Sequence, residues 1–138
     1  YVYVMSASDF RRASALSRRA LLAGLAGALP VTGPSFAAGR LELAMFTTPG
    51  CPFCALWDRQ VGPIYPRTAE GRVAPLRRID LRQAADEPWL ASPVRYSPTF
   101  VLHDGNAEIG RINGYSGDDA FWGLLGAMLA RRDAASQG

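Results

Sequence analysis

The 138-residue sequence contains no lysine, two cysteines and one histidine. Every basic side chain is therefore an arginine, from which nothing about function follows. The scarcity of sulfur and imidazole does exclude something. A structural zinc site takes four ligands, whereas Cys51 and Cys54 have only His103, in a separate segment, to join them. No apolar run is long enough to span a bilayer: residues 20–29 make a run of 10, and a spanning helix needs roughly 20. A basic surface is missing as well. The formal net charge is +3, but Arg11, Arg12, Arg18 and Arg19 crowd the first 19 residues against Asp9 alone, and from Ala38 onward 11 Arg balance 11 Asp and Glu. With no basic patch interleaved with aromatics, no nucleic-acid partner is expected. What remains is 49% hydrophobic and 20% charged, enough for one domain with a buried core.

The basic N-terminal segment reads as an address. Arg18-Arg19 precede the apolar run, and Ser35-Phe36-Ala37 supply a small-x-small cleavage site. That is the pattern of a secretory signal, with cleavage expected after Ala37 and the start expected at Met5. The paired arginines also resemble a twin-arginine signal. Residues 1–37 are thus expected to be a targeting segment, residues 38–138 the working domain, and the periplasm the destination.

The two cysteines stand together in Thr48-Pro49-Gly50-Cys51-Pro52-Phe53-Cys54, after an apolar run and before a helical pattern. In an exported chain two thiols often form a structural bridge. A bridge this short closes a tiny loop, and stabilisation by cross-linking grows with loop length. Thiol–disulfide chemistry is the better reading. A helix N-terminus carries partial positive charge and unpaired N–H groups, which favour thiolate over thiol. Cys51 is expected to be the nucleophile and Cys54 the resolving thiol. Neither a metal nor a cofactor is expected.

Along the chain, residues 40–46 read as a strand and Ala55 onward as a helix. Cys54, Ala55, Trp57, Val61 and Ile64 form its apolar stripe, Gly62-Pro63 interrupts it, and Gly71 is its C-cap. Residues 73–80 read as a second strand, parallel to the first through a right-handed crossover. Residues 81–91 suggest a short helix, with Trp89 as an anchor. Ser97-Pro98-Thr99 opens a third strand, Asp104-Gly105-Asn106 turns it, and residues 107–113 return antiparallel. Ser116 is expected to cap a last helix with Asp118 and Asp119 in its first turn, Arg131-Arg132 at its end, and Phe121, Trp122, Leu124, Leu125, Met128 and Leu129 as its apolar face. The tail after Asp133 is expected to be disordered.

This order of elements, with Cys-x-x-Cys after a strand and Ser97-Pro98-Thr99 opening a later one, resembles the thioredoxin family over roughly residues 40–132. Arg111-Ile112-Asn113-Gly114-Tyr115 is similar to the family's approach to its last helix. The resemblance implies an α/β fold of three α/β/α layers, with a central mixed sheet of about four strands flanked by helices. It implies that the Ser97–Pro98 peptide is cis and faces Cys51 and Cys54, with Pro52, Phe53, Ser97, Pro98 and Thr99 as substrate-binding residues.

Gly50-Cys51-Pro52-Phe53-Cys54, Gly62-Pro63-Ile64-Tyr65-Pro66, the stretch 74–80 and Ser97-Pro98-Thr99-Phe100 are similar to the small exported thioredoxin-like proteins of bacterial sulfur-oxidation (Sox) clusters. That likeness implies a periplasmic thiol:disulfide oxidoreductase that reduces a protein partner's cysteine, such as that of a sulfur carrier. A membrane thiol-electron transporter would recharge it. A disulfide-introducing oxidant, a glutathione- or peroxide-linked thiol enzyme and a non-catalytic binding module are the rivals. The glutathione reading has one motif behind it: Gly117-Asp118-Asp119 resembles glutaredoxins, although acidic residues in a first helical turn explain it more simply. One departure stands out. Thioredoxins bury an acidic residue where this chain has Met45, and the orientation of nearby Glu42 is open.

Overall fold

The computed structural model describes residues 39–138, so the targeting segment expected at 1–37 lies outside the described residues. Strand β1 (Glu42–Thr47) leads through a tight turn into helix α1 (Pro52–Gln60). A 3-10 turn at Tyr65–Arg67 and a short helix α2 (Ala69–Val73) follow, then β2 (Leu76–Asp80) and a 3-10 helix at Leu81–Asp86. A loop returns the chain to β3 (Thr99–His103), β4 (Glu108–Asn113) and helix α3 (Asp118–Ser136). The four strands form one sheet in the order β2-β1-β3-β4, with β1 and β2 parallel and the other neighbours antiparallel. This is the expected mixed sheet with its β1-α1-β2 crossover.

Strand side chains alternate between faces, and here both faces are covered. Leu43, Met45, Phe100 and Leu102 pack against Cys54, Trp57 and Val61 of α1 and Phe121, Leu125 and Met128 of α3. Ala44, Phe46, Ile79 and Val101 pack against Ala84, Trp89, Leu90 and Val94 on the other side. Burial of both faces explains why Leu43 to Phe46 of β1 are apolar in succession rather than in alternation. The second cover is the short helix expected at 81–91, which is of the 3-10 kind and ends at Asp86, where a loop takes over. Trp89 still anchors it, with its ring stacked on His103 at 3.7 Å between centroids.

Several boundaries differ from the sequence reading. Val73 ends α2 rather than opening β2. Thr68 starts that extra turn, its hydroxyl accepting from the Gly71 N–H at 3.0 Å. Gly71 is therefore inside a helix and not the C-cap of the preceding one. A Cβ there would stand 1.9 Å from the Tyr65 carbonyl oxygen, so close backbone approach is what selects glycine. Gly117, at φ 109°, takes the N-cap position expected of Ser116 and supplies no side-chain cap. Helix α3 runs on to Ser136, past the point where disorder was expected. Ala55, Ile64 and Leu124 are exposed, leaving Cys54, Trp57 and Val61 as the buried stripe that begins in α1.

Candidate active site

Pro49-Gly50 turns the chain out of β1, with Gly50 at φ 73°, a conformation in which a side chain is strained. Cys51 then occupies the N-cap position of α1, and Pro52 takes the first helical position, where its missing N–H costs nothing. The Cys51 Sγ accepts the Cys54 N–H at 3.2 Å, the role a Ser or Asp oxygen fills at other helix starts. Cys51 and Cys54 form a disulfide with Cα atoms 5.3 Å apart. Cys51 is half-buried and reachable, whereas Cys54 is turned into the core and only 7% exposed.

Facing this pair is the loop before β3, where the Ser97–Pro98 peptide is cis. The Ser97 Oγ lies 3.4 Å from the Cys54 Sγ and accepts the Thr48 N–H at 2.9 Å. One serine thus ties the loop before β3 to the turn before α1. Pro98 is buried, and its carbonyl accepts the Gly114 N–H at 2.7 Å. Thr99 is fully buried, with its hydroxyl donating to the Tyr96 carbonyl at 2.7 Å. Its side chain therefore supports the loop and presents no contact surface. The structure gathers Cys51, Pro52, Phe53, Cys54, Ser97 and Pro98 in one place and leaves the Thr99 side chain behind the wall.

Beside the disulfide opens a cleft of about 480 Å³, lined by Phe53, Tyr96, Ser97, Asn113, Gly114, Tyr115 and Ser116. Phe53 is 55% and Tyr96 62% exposed, so two aromatic rings stand in solvent at its mouth. The Tyr115 hydroxyl donates to Gln60 Oε1 at 2.7 Å, holding the β4–α3 connection against the end of α1. Tyr96 and the 113–116 turn were not singled out as site residues from sequence. A tyrosine beside Ser97-Pro98 was the available signal for the first of them.

Met45 is fully buried in the same core cluster as Cys54, so a thioether stands where an acid would face the resolving sulfur. Glu42 is no substitute. It pairs with Arg77 and accepts from His103 Nε2 at 3.2 Å. Its place in the strand puts it with Ala44 and Phe46, on the face away from α1. Among the described residues, no group of three or more His, Cys, Asp or Glu is arranged to hold a metal ion.

Among solved structures, the chain is similar to the periplasmic thioredoxin SoxS of Paracoccus pantotrophus in its reduced form. Identity is 45%, with 67% of this chain and 98% of that one covered and a TM-score of 0.63. It shares its fold with Trxlp of Edwardsiella tarda, at 21% identity, TM-score 0.52 and coverage of 64% and 84%. Fasciola hepatica thioredoxin aligns at 21% identity and TM-score 0.50, covering 65% of this chain and 82% of that one. No protein-family model matches the chain, and no curated protein does.

Proposed function

The chain belongs to the thioredoxin family, and we propose that within it the protein is an exported reductase of protein disulfides, with Cys51 the attacking and Cys54 the resolving sulfur. Thiol:disulfide oxidoreductase chemistry comes with the family and the Cys51–Cys54 disulfide. The observation that carries the finer reading is the unequal exposure of the two sulfurs at one helix start. The reachable Cys51 Sγ accepts the Cys54 N–H at a helix start, a setting that stabilises a thiolate, while Cys54 is shielded behind it. Cys51 thiolate attacks a substrate disulfide, a mixed disulfide forms, and Cys54 displaces the substrate thiolate by attacking Cys51. Phe53 and Tyr96 offer apolar contact to a bound segment, and the exposed edge of the loop at Ser97 offers backbone pairing.

Export rests on Arg18-Arg19, the apolar run and the site after Ala37, and kinship with a periplasmic thioredoxin supports the same compartment. The reducing direction rests on a compact domain, since among the described residues the second sheet face carries only the 81–94 segment. The partner is a protein cysteine that must be kept reduced, such as that of a sulfur carrier, and a membrane thiol-electron transporter supplies the electrons. The test is trapping. Cys54→Ser should accumulate mixed disulfides with protein substrates and Cys51→Ser should not; the opposite pattern would reverse the roles. A Cys51/Cys54 potential near about −270 mV fits a reductase, and one near about −120 mV an oxidant.

A further inference from the structure

The resolving sulfur of a dithiol centre must lose its proton before it can attack, and burial among apolar groups opposes that loss. Cys54 is buried, and Met45 offers it no carboxylate. On the elements packed around it, α3 carries Asp118 beside Tyr115, α1 carries Asp58, one turn further along, and β2 carries Arg78. Asp58 and Arg78 pair with each other. The polar side chain at the Cys54 sulfur is Ser97, with Oγ 3.4 Å away. The Thr48 N–H already donates to that oxygen at 2.9 Å. A hydroxyl has one hydrogen to give and two lone pairs to receive. With one lone pair occupied by Thr48, the oxygen is fixed in place and its hydrogen is free to turn toward sulfur.

We infer that the Ser97 hydroxyl is the hydrogen-bond donor that stabilises the Cys54 thiolate in the resolving step, in place of a buried carboxylate. This rests on the assignment of Cys51 as nucleophile and Cys54 as resolving thiol. In the mixed disulfide, Cys54 gives up its proton to solvent water and Ser97 O–H donates to the charge left on Sγ. The thiolate attacks the Cys51 Sγ, the Cys51–Cys54 bond forms, and the bond from Cys51 to the substrate sulfur breaks. The departing substrate thiolate leaves with the electron pair and takes up a proton equivalent to the one Cys54 lost. Ser97 ends the step with its own hydrogen, so no further reactant is needed. A donor differs from a carboxylate in its effect on pH dependence. It lowers the pH at which the thiolate forms without titrating itself.

The two half-steps separate when reduced protein reacts with dithiobis(nitrobenzoate), whose thiolate is coloured. Attack by Cys51 releases the first equivalent and resolution by Cys54 the second. Ser97→Ala should leave the first phase near its native rate and slow the second about tenfold at neutral pH, its profile moving alkaline by about one unit, as expected for loss of a hydrogen bond to a charged group. Ser97→Thr, which keeps the hydroxyl, should restore both the rate and the profile. A native second phase in Ser97→Ala overturns the inference. Equal slowing of both phases with an unmoved profile also overturns it, since that marks a loop-holding role. The underlying role assignment fails separately, if Cys54→Ser loses the first phase or Cys51→Ser retains it.

Discussion

Gly71 sits beneath the Tyr65 carbonyl, where an added Cβ would approach to 1.9 Å of the oxygen and 3.2 Å of the Tyr65 ring. The contact is with backbone, which cannot swing aside as a flexible side chain would. Tyr65 is itself fixed, its hydroxyl donating to the Ala74 carbonyl at 2.7 Å and its ring packed beside Trp57 and Phe121. Gly71→Ala should therefore destabilise the domain by about 1–3 kcal/mol, the usual cost of overpacking, read as a lower urea midpoint with the slope unchanged. A midpoint equal to the native one would mean that the Tyr65 carbonyl can move. The sequence reading placed this glycine at a helix end because Gly commonly ends helices; its actual reason is a tertiary contact that spacing does not reveal. Cys51, Cys54, Ser97 and Pro98 were legible for the opposite reason. Their meeting in space follows from residue type and order along the chain, which the fold brings together. Thr99 marks the limit of that logic, since adjacency to Ser97-Pro98 could not tell that its side chain turns inward.

At the scale of elements, the central strands β1 and β3 were readable because they bury both faces, and the edge strands β2 and β4 because Gly, Pro or Asp turns bound them. Helix α1 was readable from Pro52 at its start and Gly62-Pro63 after its end. The cover at 81–94 was not, because its hold on the sheet comes from partners far away in sequence. Trp89 stacks on His103, and Arg111 of β4 donates to the Ser92 and Pro93 carbonyls. Helix α3 exposes a different weakness. Its 19 residues include Gly123 and Gly126, both exposed, and a Cβ on either would meet nothing within 4 Å. Glycine in a helix interior costs up to about 1 kcal/mol relative to alanine because of the backbone freedom it loses on folding. Gly123→Ala and Gly126→Ala should each stabilise the domain by about 0.5–1 kcal/mol, raising the melting temperature by several degrees. Neither residue lines the cleft beside Phe53, so disulfide reductase rates should stay native. A lower melting temperature in either variant would show that the added methyl is not tolerated on that face of α3.

Across the whole molecule, apolar packing holds α1 and the redox pair, while ion pairs reinforce the opposite face of the sheet. Arg77 of β2 joins Glu42 of β1 to Glu87 of the cover, and Glu42 in turn accepts from His103 of β3. On β4, Glu108 pairs with Arg111 and accepts the Ala91 N–H at 2.9 Å. Hydrogen bonds from Arg77 hold the Glu87 carboxyl below its ordinary range, and those from Arg111 do the same for Glu108. The N–H groups of Ala107 and Asn106 likewise lower Asp104. Burial is the largest influence on His103 and lowers its basicity, with Arg77 acting the same way and Glu42 and Glu87 opposing. Geometry agrees with the neutral ring: Nδ1 accepts the Gly105 N–H at 3.1 Å, leaving Nε2 to carry the hydrogen toward Glu42. All four groups bind protons less readily in the folded state than in the unfolded one, so acid favours unfolding. His103 contributes stability that is complete above its unfolded value, about 6.5, and lost as pH falls toward its lower folded value. The carboxylates contribute stability that is complete above about 4.3 and lost below it. Melting temperature should therefore fall in two stages on acidification, the first beginning below about pH 6.5 and the second, steeper, below about pH 4.3. His103→Gln should remove the first stage and keep the second. A melting temperature that rises between pH 6.5 and 5, or a first stage that survives His103→Gln, would rule out the histidine as its source. Because the charged face lies across the sheet from Cys54, the rate of attack by Cys51 above pH 6.5 should be the same in His103→Gln as in the native protein.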